Sequence, residues 1–149
     1  MSALDSRFNK ITLGNGADDT VNADRSFDDI ITLGNGDGDA VRAPDNTYDR
    51  ITLGNGDHDA VNADRSFDDD ILTLGNGAND TVSALDSRYA KIIVGNGADD
   101  MVDANSSNHN TITLGNGDRD TVYADGNNHD TITLGNGAGD AVIAGDRAP

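Results

Sequence analysis

The sequence predicts an all-β fold, a parallel β-roll or β-solenoid of about seven coils of 20 residues, with two short strands in each coil. A phrase of the form LGNG recurs in the chain, and it starts at Leu13, Leu33, Leu53, Leu74, Val94, Leu114 and Leu134. The steps between these starts are 20 residues long, with one step of 21, and a fixed period of this size is typical of solenoids. Each period divides into two halves of ten residues, and most halves end in Asp, any residue and a β-branched residue.

The strands of each coil follow from the alternation of apolar and polar residues. The first strand is expected at Ile11-Thr12-Leu13 and the second at Val21-Asn22-Ala23. Because successive side chains of a strand point to opposite faces, Ile and Leu of one strand should face Val and Ala of the other across a thin core. Gly-Asn-Gly interrupts every run, which argues against helix. Coils stacked about 4.8 Å apart predict a rod roughly 34 Å long.

The domain organisation is equally simple. Residues 1–149 are predicted to form a single solenoid domain, with the one extra residue in a loop at Asp68, Asp69 or Asp70. The chain opens with SALDSRFNKI, which matches SALDSRYAKI at 83–92, so it begins inside a coil and also stops inside one. We therefore expect it to be a fragment of a longer array.

Composition excludes several classes of function. The formal net charge is −17, which argues against nucleic-acid binding. All 27 acidic residues are Asp, a short carboxylate suited to turns and to oxygen-ligated cations. No Cys is present, so disulfides and thiolate metal sites are excluded. No apolar run reaches membrane-spanning length, and no motif of a known catalytic class occurs, so the chain is not expected to be an enzyme.

The Gly-Asn-Gly phrase, first seen at Gly14-Asn15-Gly16, fits a bend that needs positive φ or close backbone approach. An Asp follows the second Gly by three residues in every repeat, and stacked coils would align these side chains in a column of candidate metal ligands: Asp19, Asp39, Asp59, Asp80, Asp100, Asp120 and Asp140. Several Ca²⁺ ions between coils would relieve the repulsion in this column. The alternative needs no metal: the turns would be held by a ladder of Asn15, Asn35, Asn55, Asn76, Asn96, Asn116 and Asn136, with the Asp residues capping turns.

The turn phrase resembles the calcium-binding β-roll repeats known as the RTX or haemolysin-type family. In LGNGADDTV, Gly14, Gly16, Asp19 and Val21 stand in the order of the family signature, although Leu13 replaces its first glycine and each unit has ten residues instead of nine. The resemblance covers nearly the whole chain. It implies a right-handed parallel β-roll, calcium held between turns by Asp side chains and backbone carbonyls, and a bacterial protein that is extracellular or bound to the cell surface.

The second turn of each coil is less regular. A weaker second row of metal ligands is predicted at Asp29, Asp49, Asp69 or Asp70, and Asp130. The same turn carries one ring per coil, which we interpret as a stack covering the end of the core: Phe8, Phe27, Tyr48, Phe67, Tyr89, His109 and His129. A transition-metal site at His109 and His129 is the sharper alternative.

Together these patterns predict a calcium-binding structural module that folds or stiffens when calcium binds. Its expected partners are calcium and neighbouring repeats, either of the same array or through end-to-end self-association. The outward threonine column, which includes Thr12, Thr32 and Thr52, leaves a surface that binds ice or glycan as an alternative. A self-assembling filament held by Asn ladders without metal is the other.

Overall fold

The computed structural model describes residues 1–68 and 70–145 as a parallel β-solenoid without helix. Fourteen strands of three residues each follow one another along the chain. They are β1 Lys10–Thr12, β2 Thr20–Asn22, β3 Ile30–Thr32, β4 Ala40–Arg42, β5 Arg50–Thr52, β6 Ala60–Asn62, β7 Ile71–Thr73, β8 Thr81–Ser83, β9 Lys91–Ile93, β10 Met101–Asp103, β11 Thr111–Thr113, β12 Thr121–Tyr123, β13 Thr131–Thr133 and β14 Ala141–Ile143.

Two parallel sheets of seven strands face each other, so the predicted fold class is confirmed. The first sheet has the order β1-β3-β5-β7-β9-β11-β13, and the second sheet contains the even-numbered strands in order. Pairing is in register from coil to coil, with Ile11 opposite Ile31 and Val21 opposite Val41. Each coil therefore stacks its residues on the equivalent residues of the next coil.

The thin core has the predicted composition. Ile31 and Leu33 from the first sheet and Val41 and Ala43 from the second sheet are all buried, and the same four positions are buried in the next four coils. The strands begin and end one residue earlier than the sequence predicted. Leu13 still extends the ladder by donating its N–H to Thr32 O at 2.9 Å.

Two turns complete each coil. The GNG turn, residues 13–19 in the first coil, leads from the first sheet to the second; the return turn, residues 23–29, leads back. Each return turn places two residues in the left-handed region, as at Arg25 and Asp28, whereas each GNG turn places one there, as at Asp18. The glycines of the GNG phrase do not have positive φ.

Close backbone approach explains those glycines instead. A Cβ on Gly36 would collide with the carbonyl oxygen of Gly16 in the preceding coil, and a Cβ on Gly56 would collide with that of Gly36. The first glycine of the phrase is equally crowded, because a Cβ on Gly54 would meet the carbonyl of Gly34. Of the two sequence interpretations, the structure therefore supports close approach.

The outer face of the first sheet carries the predicted threonine column, since Thr12, Thr32 and Thr52 are in register. The neighbouring outward column alternates Lys10, Ile30 and Arg50 over the same coils.

Candidate functional site

The aspartates of the GNG turns form the column that the sequence predicted, and its five inner members are buried inside the rod. We call Asp19, Asp39, Asp59, Asp80, Asp100, Asp120 and Asp140 the GNG column. The backbone N–H of each of the first six members donates to Oδ1 of the equivalent Asp in the following coil, at 2.9 Å from Asp19 to Asp39 and 3.1 Å from Asp120 to Asp140. The four links between these two have lengths of 2.9 to 3.0 Å. The column therefore joins every coil to the next.

The second carboxylate oxygen is not used in this way. In the five inner members of the GNG column, Oδ2 is buried and has no hydrogen-bond partner: Asp39, Asp59, Asp80, Asp100 and Asp120. Their side chains are at most 1 % exposed. A buried charged oxygen without a partner is costly, so the fold would gain stability from an added proton or cation in this column.

The ionisation of the column reflects this arrangement. Burial raises the pKa of Asp59 and of Asp100 to about 6, and that of Asp80 to about 7. The charges of neighbouring aspartates, Asp57 among them, add to the rise in pKa. The pKa values of Asp39 and Asp120 are raised by burial as well.

An asparagine ladder runs along the exposed side of the same turns. Oδ1 of Asn15 accepts the backbone N–H of Asn35 at 3.0 Å, and the pattern continues coil by coil to Asn136. The ladder that the sequence offered as an alternative to calcium is therefore present. It stands beside the GNG column and leaves the buried Oδ2 atoms unpaired.

The return turns carry a second inward column, which we call the return column: Asn9, Asp29, Asp49, Asp70, Ala90, Asn110 and Asp130. Backbone N–H groups again donate to the next coil, as from Asp29 to Asp49 Oδ1 at 2.8 Å. The column position of the fourth coil belongs to Asp70, because Asp49 N–H donates to its Oδ1 at 2.8 Å. Asp69, one of the predicted ligands, lies outside the described residues.

Unlike the GNG column, the return column has hydrogen-bond donors for the second carboxylate oxygen, Oδ2. Asn46 Nδ2 donates to Asp49 Oδ2 at 2.6 Å, and Asn127 Nδ2 donates to Asp130 Oδ2 at 2.7 Å. Asn9 Nδ2 lies within hydrogen-bond distance of both carboxylate oxygens of Asp29. Burial nevertheless raises the pKa of Asp49 to about 6 and that of Asp70 to about 7.

Several of these partners belong to a third inward column that the sequence analysis missed. It consists of Ser6, Ser26, Asn46, Ser66, Ser87, Ser107 and Asn127, and its middle members are buried. Ser26 Oγ donates to Ala23 O at 2.7 Å, and Asn46 Oδ1 accepts Ser26 N–H at 2.8 Å. The signal was present, since a small polar residue recurs here in every coil.

The rings of the return turns do not cover the core, so this interpretation was wrong. Phe8 is 72 % exposed and Tyr48 44 %, because the buried serine and asparagine column closes the core at this end. The rings also occupy two columns: Phe8 and Tyr48 hold the second left-handed position of their turns, whereas Phe27 lies one position earlier.

The predicted histidine pair is brought together. The rings of His109 and His129 are stacked with centroids 4.8 Å apart, and Tyr89 extends the stack, 5.1 Å from His109. Within residues 1–68 and 70–145, no three His or Asp side chains are grouped closely enough to hold a metal ion.

The chemistry of the GNG column fits calcium in one respect. Its unpaired Oδ2 atoms are hard oxygen donors, which calcium prefers. Calcium takes six to eight oxygens, so backbone carbonyls and water would have to complete the shell around carboxylates of successive coils.

Within the described residues, no helix is long and apolar enough to cross a bilayer. No protein family, no curated protein and no solved structure matches the chain, so its resemblance to the calcium-binding β-roll family stays a prediction.

Proposed function

We propose that this chain is a structural repeat module, a stiff rod of stacked coils. The observation that carries the proposal is the unbroken chain of hydrogen bonds from Asp19 to Asp140, by which the backbone of every coil is tied to a side chain of the next. The asparagine ladder adds a second tie outside. In a solenoid each coil contacts only its neighbours, so ties between coils determine the stiffness of the whole.

The same column supports a finer proposal, that several calcium ions bind between coils and stiffen the rod. Five buried carboxylate oxygens without partners stand one above another, and a divalent cation would offset their charge. The residues we assign to calcium are Asp19, Asp39, Asp59, Asp80, Asp100, Asp120 and Asp140. The return column, with neutral Ala90 and Asn110 and with paired Asp49 and Asp130, is the weaker candidate.

An extracellular or cell-surface setting rests on the family resemblance alone. In such a setting, calcium from the medium would stiffen the rod after export, and the low calcium of the cytosol would leave it less stable inside the cell.

The rod and the ion are tested together by thermal unfolding followed by circular dichroism, with X-ray scattering on the same samples. The chain is measured in chelator, in calcium and in magnesium, beside the triple variant Asp59→Asn, Asp80→Asn and Asp100→Asn. Asp49→Asn in the return column is the matched control.

We expect a β-rich rod in all three solutions, with calcium raising the melting temperature of the native chain and of Asp49→Asn but not that of the triple variant. Magnesium, which gives up its water reluctantly, should have little effect. An unfolded chain in chelator, seen as lost β-structure and as expanded scattering, would contradict the structural module. Equal melting temperatures in chelator and calcium would contradict only the calcium proposal.

A further inference from the structure

The return turns of the first five coils expose a row of rings that the ladders do not use. We call Phe8, Phe27, Tyr48, Phe67 and Tyr89 the ring ridge. Four of the five are exposed, at 72 % for Phe8, 44 % for Tyr48, 42 % for Phe67 and 48 % for Tyr89. Single exposed apolar side chains are ordinary, but contiguous ones mark binding surfaces.

Three of the five rings pack against one another, and an arginine covers a fourth. Phe27 stands edge-on between its neighbours, with its centroid 6.2 Å from that of Phe8 and 5.3 Å from that of Tyr48. Arg88 lies over the ring of Phe67 at 5.9 Å. The backbone beneath them is fixed as well, since Phe8 N–H donates to Phe27 O at 3.0 Å. Rings held in place before a ligand arrives lose little conformational freedom when it binds.

The ridge has a period of two coils. Phe8, Tyr48 and Tyr89 occupy the same turn position, and Asp28 and Asp68 occupy it in the coils between. Two residues after each of these rings comes a basic side chain at the start of a strand, namely Lys10, Arg50 and Lys91, and these alternate in register with Ile30 and Ile71. A ring followed two residues later by a basic side chain therefore recurs about every 9.6 Å, twice the spacing of neighbouring strands.

The distribution of charge limits the ligands that could bind the ring ridge. The chain carries −17, which repels polyanions and a second copy of itself. Seven of the ten Lys and Arg residues lie in the return turns and on the strand starts beside the ridge: Arg7, Lys10, Arg25, Arg50, Arg65, Arg88 and Lys91. These basic residues offset part of the negative charge of the nearby aspartates. A basic partner would therefore be attracted more strongly to the side of the rod that carries the GNG turns. A neutral ligand with flat apolar faces and many hydroxyl groups fits this strip best.

The spacing points to a polymer. In an extended β-1,4-linked glycan, successive sugars are turned over, so the same face returns at every second sugar, a distance close to two coils. Sugar faces stack on aromatic rings through their C–H groups, and guanidinium and ammonium groups donate hydrogen bonds to hydroxyls. We propose that the ring ridge binds a neutral, extended β-1,4-linked polysaccharide lying along the rod, with sugars on Phe8, Tyr48 and Tyr89 and with Lys10, Arg50 and Lys91 bound to their hydroxyls.

Native affinity electrophoresis of the full chain tests this inference. The gels contain hydroxyethyl cellulose or glucomannan as neutral β-1,4-linked probes, dextran as a flexible α-linked control, or alginate as a polyanion. The double variant Tyr48→Ser with Tyr89→Ser removes two of the rings on which sugars would stack. The double variant Tyr48→Phe with Tyr89→Phe keeps both rings. Tyr123→Ser is the matched control, because Tyr123 lies in β12 on the other sheet.

The native chain, the Phe variant and Tyr123→Ser should be retarded by at least one neutral β-1,4-linked probe and not by dextran. The double Ser variant should bind roughly ten-fold more weakly, the loss expected when central aromatic contacts are removed. Circular dichroism checks that each variant is folded, and Tyr89→Ser alone replaces the double Ser variant if that variant is not.

Unchanged mobility of the native chain in both neutral probes would overturn the proposal. So would retardation by alginate alone, equal losses in Tyr123→Ser and the double Ser variant, or self-association through the ridge seen in sedimentation as a dimer that the Ser variant loses.

Discussion

The two turns of each coil solve the same stacking problem in different ways. Both place an inward side-chain oxygen where it accepts a backbone N–H across coils, as from Asp39 to Asp59 in the GNG column and from Asp29 to Asp49 in the return column. The GNG turn keeps Gly-Asn-Gly and the Asp three residues later in every coil. The return turn varies from coil to coil and shows rings, charges and amides to solvent.

The two columns differ in the hydrogen bonding of the second carboxylate oxygen, Oδ2. In the return column, Asn46 pairs with Asp49 and neutral Ala90 and Asn110 interrupt the series. In the GNG column, the inner five members leave Oδ2 buried and unpaired. A uniform column therefore gives regular ties at the cost of buried charge, whereas a mixed column avoids much of that charge by varying its sequence.

The largest contrast is expected from glycine replacements in the two turns. Gly97→Ala should cost more than about 4 kcal/mol of unfolding free energy, because its Cβ would meet the carbonyl of Gly77. Gly126→Ala, in a return turn with φ of 71° and only Ser106 Oγ at 4.0 Å, should cost about 1 kcal/mol. Urea unfolding measures both, and similar losses would mean that the backbones of the GNG turns are less closely stacked than described.

The two columns should respond differently to Asp→Asn. In chelator at pH 7.5, Asp80→Asn should stabilise the fold by roughly 3 kcal/mol, since it removes a buried charge whose pKa is raised to about 7. The stabilisation from Asp49→Asn should be smaller by about 1–3 kcal/mol, because Asn46 Nδ2 would lose its acceptor. Urea unfolding compares the pair, and a larger gain from Asp49→Asn would reverse the distinction between the columns.

The free energy of unfolding should decrease as pH rises from acid to neutral. The pKa values of Asp59, Asp80 and Asp100 are raised above 3.8 in the folded chain, so the folded state binds more protons than the unfolded state between about pH 4 and 7. Stability must fall as pH rises through that window and level off above it. A carboxyl raised from 3.8 to about 6 contributes roughly 3 kcal/mol to the change.

Melting temperatures in chelator from pH 5 to 8 measure this slope. Because Asp49 and Asp70 in the return column are also raised, the triple variant of Asp59, Asp80 and Asp100 to Asn should lose only part of it. A melting temperature that rises with pH over this range would show that the buried carboxyls are ionised without cost.

The smallest difference between the two turns is expected when asparagine side chains are removed. Asn96→Ala removes one step of the exposed ladder, in which Asn96 Oδ1 accepts Asn116 N–H at 2.9 Å, and should cost about 1 kcal/mol. Asn46→Ala leaves Ser26 N–H and Asp49 Oδ2 without partners in a buried site and should cost about 2–4 kcal/mol. Thermal unfolding at one pH compares the two, and an equal cost would place the exposed ladder among the main supports of the rod.

The fold and the GNG column were predictable because in-register stacking turns a sequence period directly into a spatial column. Ile31, Val41 and Asp39 recur at fixed intervals, and alternation assigns each a face. The ring positions were harder to predict, because Phe27 and Tyr48 differ by one place in their turns and that shift changes the column. The unpaired Oδ2 atoms depend on distances between side chains, which periodicity does not contain. The buried column of Ser26 and Asn46 was overlooked because small polar residues in turns usually face solvent.

The central claim is that the GNG column holds buried carboxyls with one oxygen unpaired, and carbon-detected NMR of the aspartate carboxyls tests it most directly. Titrated in chelator, Asp59, Asp80 and Asp100 should have pKa values of about 6, 7 and 6. Asp5, Asp45 and Asp99, bound to arginines, should titrate below 3.8. Bound calcium should lower the values in the column. If instead the column titrates near 3.8 without calcium, its oxygens have partners and the account of the GNG turn is contradicted.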